Sequence, residues 1–272
     1  MTQAVSRSQI QTFLAQTEPF NQLAENALQK LSGECQLLRY RIGQPILQRE
    51  VPSTQVAIVY MGQVRVLGYD QRTQTPVSLY MAGPGKVLGW AALVRGEGCE
   101  TAIASDEVIC ITIPSTVFLS FINQEPVLRQ AYREQASISE VFELLSLELQ
   151  RRAIGTVNLK ELTTEVLPHA KVVNLPSGQA KLPELDPDLL WMVSSGMIGA
   201  FSNGSRFPIQ DPPSSWTPVK GKQGGRLLGV PLSSLPKSAA ITPVVEPEVV
   251  EEAETQSESA TTQQSPYDHI PY

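Results

Sequence analysis

The chain has 272 residues, 42% of them hydrophobic, and a formal net charge of −6. That length accommodates one large domain or two small ones with real cores, and the acidic balance argues against a general nucleic-acid binder. Seven acidic residues and one lysine lie between Pro236 and Tyr272, so that stretch carries the whole excess and the remainder is balanced. Cys35, Cys99 and Cys110 form an odd set without a Cys-x-x-Cys. They read as reduced, buried thiols in a cytoplasmic protein, not as a disulfide framework or a metal site. The first residues lack the apolar core of a signal peptide, and no apolar run is long enough to span a bilayer, so direct membrane insertion is not expected.

In chain order, Ser8 to Gln16 reads as a short amphipathic helix with Ser8 as its cap, and Phe20, Leu23, Leu28 and Leu31 predict a second, ending at Gly33. Strand patterns follow over 35–40, 46–47, 55–60, 63–69 and 75–80, with a hairpin turning near Gly62. Val108 to Ile113 is a further strand, closed by Pro114. Many short strands with Gly/Pro turns indicate a small roll or barrel. A helical block over Ser115 to about Arg152 is broken at Pro126. Its longer second part carries Leu128, Tyr132, Ile138, Val141, Phe142, Leu145 and Leu149.

The stretch that organises the rest is Gly83 to Ala104. Gly89 precedes Trp90-Ala91-Ala92-Leu93, one turn of mostly small residues, and a glycine-spaced loop returns to a strand starting at Thr101. A turn of helix behind a glycine points its first amides at whatever sits before it, and small side chains let a ligand approach. These residues resemble the phosphate-binding cassette of cyclic nucleotide-binding domains, in which Gly-Glu-(Leu/Ile)-Ala-Leu is followed by Arg-(Ser/Thr/Ala)-Ala. Gly89, Ala92, Leu93, Thr101 and Ala102 match. Trp90 stands where the family has the glutamate that holds the ribose, and Glu100 where it has the arginine that pairs with the cyclic phosphate. The resemblance implies a cyclic nucleotide-binding β-roll, mainly β with flanking helices, in which the C-terminal helices act as hinge and lid. The paired helices ahead of the roll, with Pro19-Phe20 opening the second, are also what such domains show.

The replaced residues decide what the cassette can hold. An arginine would add a charge-assisted pair of roughly 1.5–3 kcal/mol to a phosphate. A carboxylate removes it and adds repulsion, which rotating Glu100 outward would relieve. Arg95 could instead turn inward as a substitute, and Trp90 is expected to fill the vacated space or form a contact face. The candidate ligand-binding residues are therefore the degenerate cassette Gly89, Trp90, Ala91, Ala92, Leu93, Glu100, Thr101 and Ala102. No cofactor is expected, and a bound cyclic nucleotide is the alternative. No catalytic or metal-ligating set is identified. His169 and His269, the two histidines, read as exposed loop residues. Gly83-Pro-Gly-Lys86 lacks Walker spacing, and Gly221 to Arg226 reads as a solvated basic turn.

Beyond Thr156 no pair of helices with a basic face predicts a DNA reader. An internal echo appears instead. Arg41–Leu47 corresponds to Pro176–Leu182, Val56–Gly62 to Leu190–Gly196, and Gly85–Gly89 to Gly225–Gly229, all in the same order. This predicts a second, partial and degenerate β-roll that stops soon after Gly229 and has no arginine in its returning strand. The domain reading is 1–153 for the first roll with its helices, 156–235 for the second, and 236–272 for an acidic, disordered linker or tail.

Two such rolls before a linker resemble the N-terminal cytosolic region of cyanobacterial peptidase-containing ABC exporters of the bacteriocin or type I secretion kind. The residues that carry this are Leu37-Leu-Arg-Tyr-Arg41 with Gly43-Gln-Pro45, Val87-Leu-Gly-Trp90 with Cys99-Glu-Thr-Ala102, and the terminal Tyr267 to Tyr272 segment. The resemblance implies a non-enzymatic regulatory or scaffolding module that docks on, or gates, a secretion ABC transporter at the inner face of the plasma membrane. Any ATPase or peptidase activity would belong to a longer protein or a partner. The alternatives are a nucleotide or small-ligand sensor using other contacts, and a dimerisation protein built on helix 126–152.

Overall fold

The structure is a computed structural model that describes residues 6–209 and 216–236. The described residues fall within one compact unit. Its fold is a mainly β jelly roll with flanking helices.

The chain opens with α1 (Arg7–Leu14) and, after one 3-10 turn at Phe20–Gln22, α2 (Glu25–Glu34). The cap of α1 is Ser6, two residues before the expected Ser8: its hydroxyl accepts the Gln9 N–H while Gln9 reaches back to the Ser6 amide. The reciprocal box satisfies two orphan donors at once and starts the helix one half-turn earlier.

Eight strands follow: β1 (Gln36–Tyr40), β2 (Pro45–Leu47), β3 (Gln55–Met61), β4 (Val64–Asp70), β5 (Thr75–Ala82), β6 (Val87–Leu88), β7 (Thr101–Ala104) and β8 (Val108–Pro114). The six-residue helix α3 (Trp90–Arg95) lies between β6 and β7. The strands form two four-stranded sheets, ordered β1-β8-β3-β6 and β2-β7-β4-β5. Alternation along β4 sends Val64 and Val66 inward to meet Val59, Leu88, Ala102 and Cys110.

The helical block after β8 is more divided than its apolar spacing suggests. It comprises α4 (Ser115–Gln124), one short turn α5 (Pro126–Leu128), a π-helical turn Arg129–Arg133, and α6 (Ile138–Arg151). Ser137 interrupts it because it serves as N-cap: its hydroxyl accepts the Glu140 N–H at 3.0 Å, and the Glu140 carboxylate accepts the Ser137 N–H at 3.3 Å. Val141, Phe142, Leu145 and Leu149 of α6 are buried within the chain. Phe142 lies over β4, where a Cβ on Gly68 would come within 2.6 Å of its ring.

After α7 (Leu159–Val166) a second set of strands begins: β9 (Lys171–Leu175), β10 (Gly178–Lys181), β11 (Leu189–Ser195), β12 (Met197–Ile198), β13 (Phe201–Ser202), β14 (Trp216–Lys220) and β15 (Gly225–Pro231). Their sheets run β9-β15-β11 and β10-β14-β12-β13. This is the strand order of the first roll without a counterpart of β6. The turn glycines correspond too: Gly62 after β3 and Gly196 after β11 have φ of +91° and +74°, and a Cβ on either would meet a backbone oxygen at 2.5 Å.

One correspondence of the echo differs in the structure. Gly225–Gly229 lies in β15, which pairs with β11 as β8 pairs with β3, so its counterpart is β8 and not the cassette strand β6. The strand in the place of β7 is β14, Trp216–Lys220, which has no arginine, as expected; β15 carries Arg226, whose side chain is buried. Short Gly-bounded apolar strands resemble one another in sequence, and hydrogen-bond partners separate them where spacing does not.

Candidate functional site

The cassette is built by two left-handed glycines. Gly89, at φ +82°, lets β6 turn straight into α3, and Gly96, at φ +76°, closes that helix by donating its N–H to the Ala92 carbonyl at 2.8 Å. Ala91 and Leu93 are buried, Ala92 is half-buried, and Ala102 packs inside the roll. The Thr101 hydroxyl accepts the Arg49 N–H at 3.3 Å. All of the expected cassette residues thus come together at one end of the first roll.

The acid at position 100 is not turned outward. Glu100 is 7% exposed. Its Oε1 accepts the Gly89 N–H at 2.9 Å and its Oε2 accepts the Ser139 hydroxyl at 2.7 Å. The expectation of outward rotation fails because the open amide before α3 and the first turn of α6 supply donors that solvent would otherwise provide. Burial pushes the Glu100 carboxyl upward from its ordinary range, against the pull of these two hydrogen bonds and of Arg95. The carboxylate occupies the point at which the helix start presents its free N–H.

Arg95 does not turn toward that point. Its side chain is fully buried; Nη2 is 2.7 Å from the Glu143 carboxylate and 2.7 Å from the Ser194 carbonyl, while Nε donates to the Ser194 hydroxyl at 3.0 Å. The cassette is thereby tied to α6 and to β11 of the second roll. Burial works against the charge on Arg95, but the nearby Glu143 and Glu140 carboxylates outweigh it and hold the guanidinium firmly protonated. Cys99 itself is pushed up to about 12 by burial.

A second ion pair continues the connection. Glu140 accepts from the Ser194 hydroxyl at 2.5 Å and from Arg226 Nε at 2.7 Å. Arg226 also donates to the carbonyls of Arg133 and Gln135, at 2.6 and 2.7 Å, and so fixes the segment entering α6. Burial acts upward on Glu140, but Arg226 dominates and holds the carboxyl below its ordinary value. Glu97 reaches the Gly196 N–H at 3.0 Å and also bonds Asn203.

Trp90 is half-buried with its ring 5.3 Å from that of Tyr132, and both line a groove of about 1140 Å³ between the N-terminal helices, the cassette and the approach to α6. Glu140, Glu143 and Ser194 were not singled out by sequence reasoning, and Arg226, read as the end of a solvated basic turn, is instead buried in β15 and paired with Glu140. The available signal was the Ser137-x-x-Glu140 capping box, with Glu143 about one helical turn further along the same helix. His169 is exposed on a 3-10 turn, and His269 lies outside the described residues. Among the described residues no group of His, Cys, Asp and Glu could hold a metal ion, and no helix is long and apolar enough to cross a membrane.

Residues 37–125 match the family model of the cyclic nucleotide-binding domain. Among curated proteins, two forms of cGMP-dependent protein kinase isozyme 2 from Drosophila melanogaster are each 25% identical over 167 residues, or 60% of this chain. The chain spans only 17% and 15% of those relatives. Among solved structures, the regulatory domain of Toxoplasma gondii PKA with cAMP is 12% identical, covering 86% of this chain and 92% of its own with a TM-score of 0.42. The sensor domain of the transcriptional regulator DNR from Pseudomonas aeruginosa is 16% identical, covering 56% of this chain and 95% of its own, also at 0.42. A cyclic nucleotide-binding domain is thus recognised in the first roll.

Proposed function

We propose that the chain is a non-enzymatic regulatory or scaffolding module, in which a cyclic nucleotide-binding fold acts through protein contacts and not through a cyclic nucleotide. The observation that carries this reading is the Glu100 carboxylate seated on the Gly89 amide. A cyclic phosphate brought to that amide would meet a like charge, costing on the order of 4 kcal/mol at about 4 Å and an effective dielectric near 20. The nearby arginine, Arg95, is engaged by Glu143 and Ser194. Docking on a secretion ABC exporter is the role that the resemblance in layout supports. It would hold the chain at the inner face of the plasma membrane through that partner and leave any ATPase or peptidase step to the transporter.

The sensor reading is favoured by one observation, the match of residues 37–125 to the cyclic nucleotide-binding family. Isothermal titration of the full chain with cyclic AMP and cyclic GMP separates the two. The expected result is no saturable heat with either. Saturable binding that disappears in Ala92→Trp selects the sensor. For the partner, the chain is expected to co-elute with the exporter's ATPase domain in gel filtration; separate elution at concentrations well above micromolar contradicts the docking role.

A further inference from the structure

The groove beside the cassette holds a charge without a counter-charge. Glu140 pairs with Arg226, Glu143 with Arg95 and Arg49, and Glu148 with Arg152 and Arg206, whereas Glu100 makes no ion pair among the described residues. Only two neutral donors, the Gly89 N–H and the Ser139 hydroxyl, reach it. A buried carboxylate is costly unless it is paired. The same groove contains a second unfulfilled group. Tyr132 is 5% exposed, and its hydroxyl is buried with no hydrogen-bond partner among the described residues. That tyrosine sits in the π-helical turn Arg129–Arg133, an arrangement often found at functional sites. Trp90 and Tyr80 complete this end of the groove with aromatic surface.

One kind of ligand answers all of these at once. It carries a positive charge for Glu100, a hydrogen-bonding group for the Tyr132 hydroxyl, and a stem that lies on the Trp90 ring, where cations are also attracted by the ring quadrupole. The groove volume of about 1140 Å³ admits a molecule of that size with room to spare. We propose that the groove between the cassette and the π-helical turn is a binding site for a small organic cation, an ammonium or guanidinium compound, with Glu100 as counter-charge and Trp90 as its wall. This rests on the preceding reading that the cassette does not take a cyclic phosphate, and it reverses the sign of the ligand.

The test uses the full chain with agmatine as probe, following the three tryptophan indole N–H resonances by NMR. Saturable movement of the Trp90 resonance is expected, with Trp191 and Trp216 unmoved. Glu100→Gln preserves an acceptor for the Gly89 N–H and removes the charge, and should weaken agmatine by about tenfold or more. Tyr132→Phe keeps the ring and should weaken it by a smaller factor. If Glu100→Gln fails to fold, the tyrosine variant decides. The proposal is overturned if about millimolar agmatine leaves Trp90 unmoved, or if wild type and the decisive variant bind alike. Movement of Trp90 by cyclic AMP instead would overturn the preceding reading as well, so the two failures are distinguishable.

Discussion

At the scale of single residues, Glu100 and Arg95 lie five positions apart and play opposite parts. Glu100→Gln should cost little stability, because the amide still accepts from Gly89 and no longer buries a charge. Its folded-state carboxyl is raised, so its contribution is fully present below the unfolded value and is lost as pH rises through the folded value. The melting temperature of Glu100→Gln relative to wild type should therefore improve between about pH 4 and about pH 7; a constant difference across that interval contradicts an elevated Glu100. Glu140 and Glu148 have the reverse sign. Both are held down by their arginines once burial is overcome, so the stability they add is present above the unfolded value and fades as pH falls through their lower folded values. Arg95→Met removes the fully buried one of the two arginines that pair with Glu143, leaving only Arg49, and should cost about 3 kcal/mol in urea unfolding. Arg95→Met combined with Glu143→Leu should recover most of that, and no recovery would mean the pair is not the source.

At the scale of elements, α6 determines how the cassette is closed. Its apolar side buries Val141, Phe142, Leu145 and Leu149, and its polar side carries Glu140, Glu143 and Glu148 into ion pairs. Phe142→Ala should cost about 3–5 kcal/mol, read from denaturant midpoints, since its ring fills the space over Gly68. A cost below about 1 kcal/mol would mean that α6 does not seal the roll. The strands of the first roll were legible because period-two alternation and glycine turns mark half-buried strands directly. The cassette frame was legible from Gly89 and the small residues after it. What Arg95 and Glu100 face was not, because their partners Ser194 and Ser139 lie 99 and 39 positions away in sequence. Neither serine carries a local signal of burial, and ion-pair partners across such separations have no periodicity to betray them.

At the scale of the whole molecule, the two rolls are joined by charges as well as by apolar packing. Arg95 and Glu97 reach the second roll from the cassette, and Arg206 and Arg226 reach α6 from the second roll. The rolls are therefore expected to unfold together. Trp90 in the first and buried Trp191 in the second should report one midpoint, and Arg226→Gln should lower both by the same amount. Two separated midpoints in the wild type would contradict a shared core. The second roll's strand order was only partly readable in advance: its first two correspondences followed turn glycines, while the third confused β15 with a cassette strand. A sequence echo identifies repeated turns, but strand order is fixed by hydrogen bonds between distant residues.

In this chain the cassette amide is held by the chain's own carboxylate, Glu100. A crystal structure grown with cyclic AMP in large excess tests it most directly. The account predicts Glu100 within hydrogen-bonding distance of both the Gly89 amide and the Ser139 hydroxyl, with Arg95 on Glu143 and Ser194. A nucleotide phosphate at the Gly89 amide, with Glu100 displaced and the Arg95 guanidinium swung onto it, would contradict it.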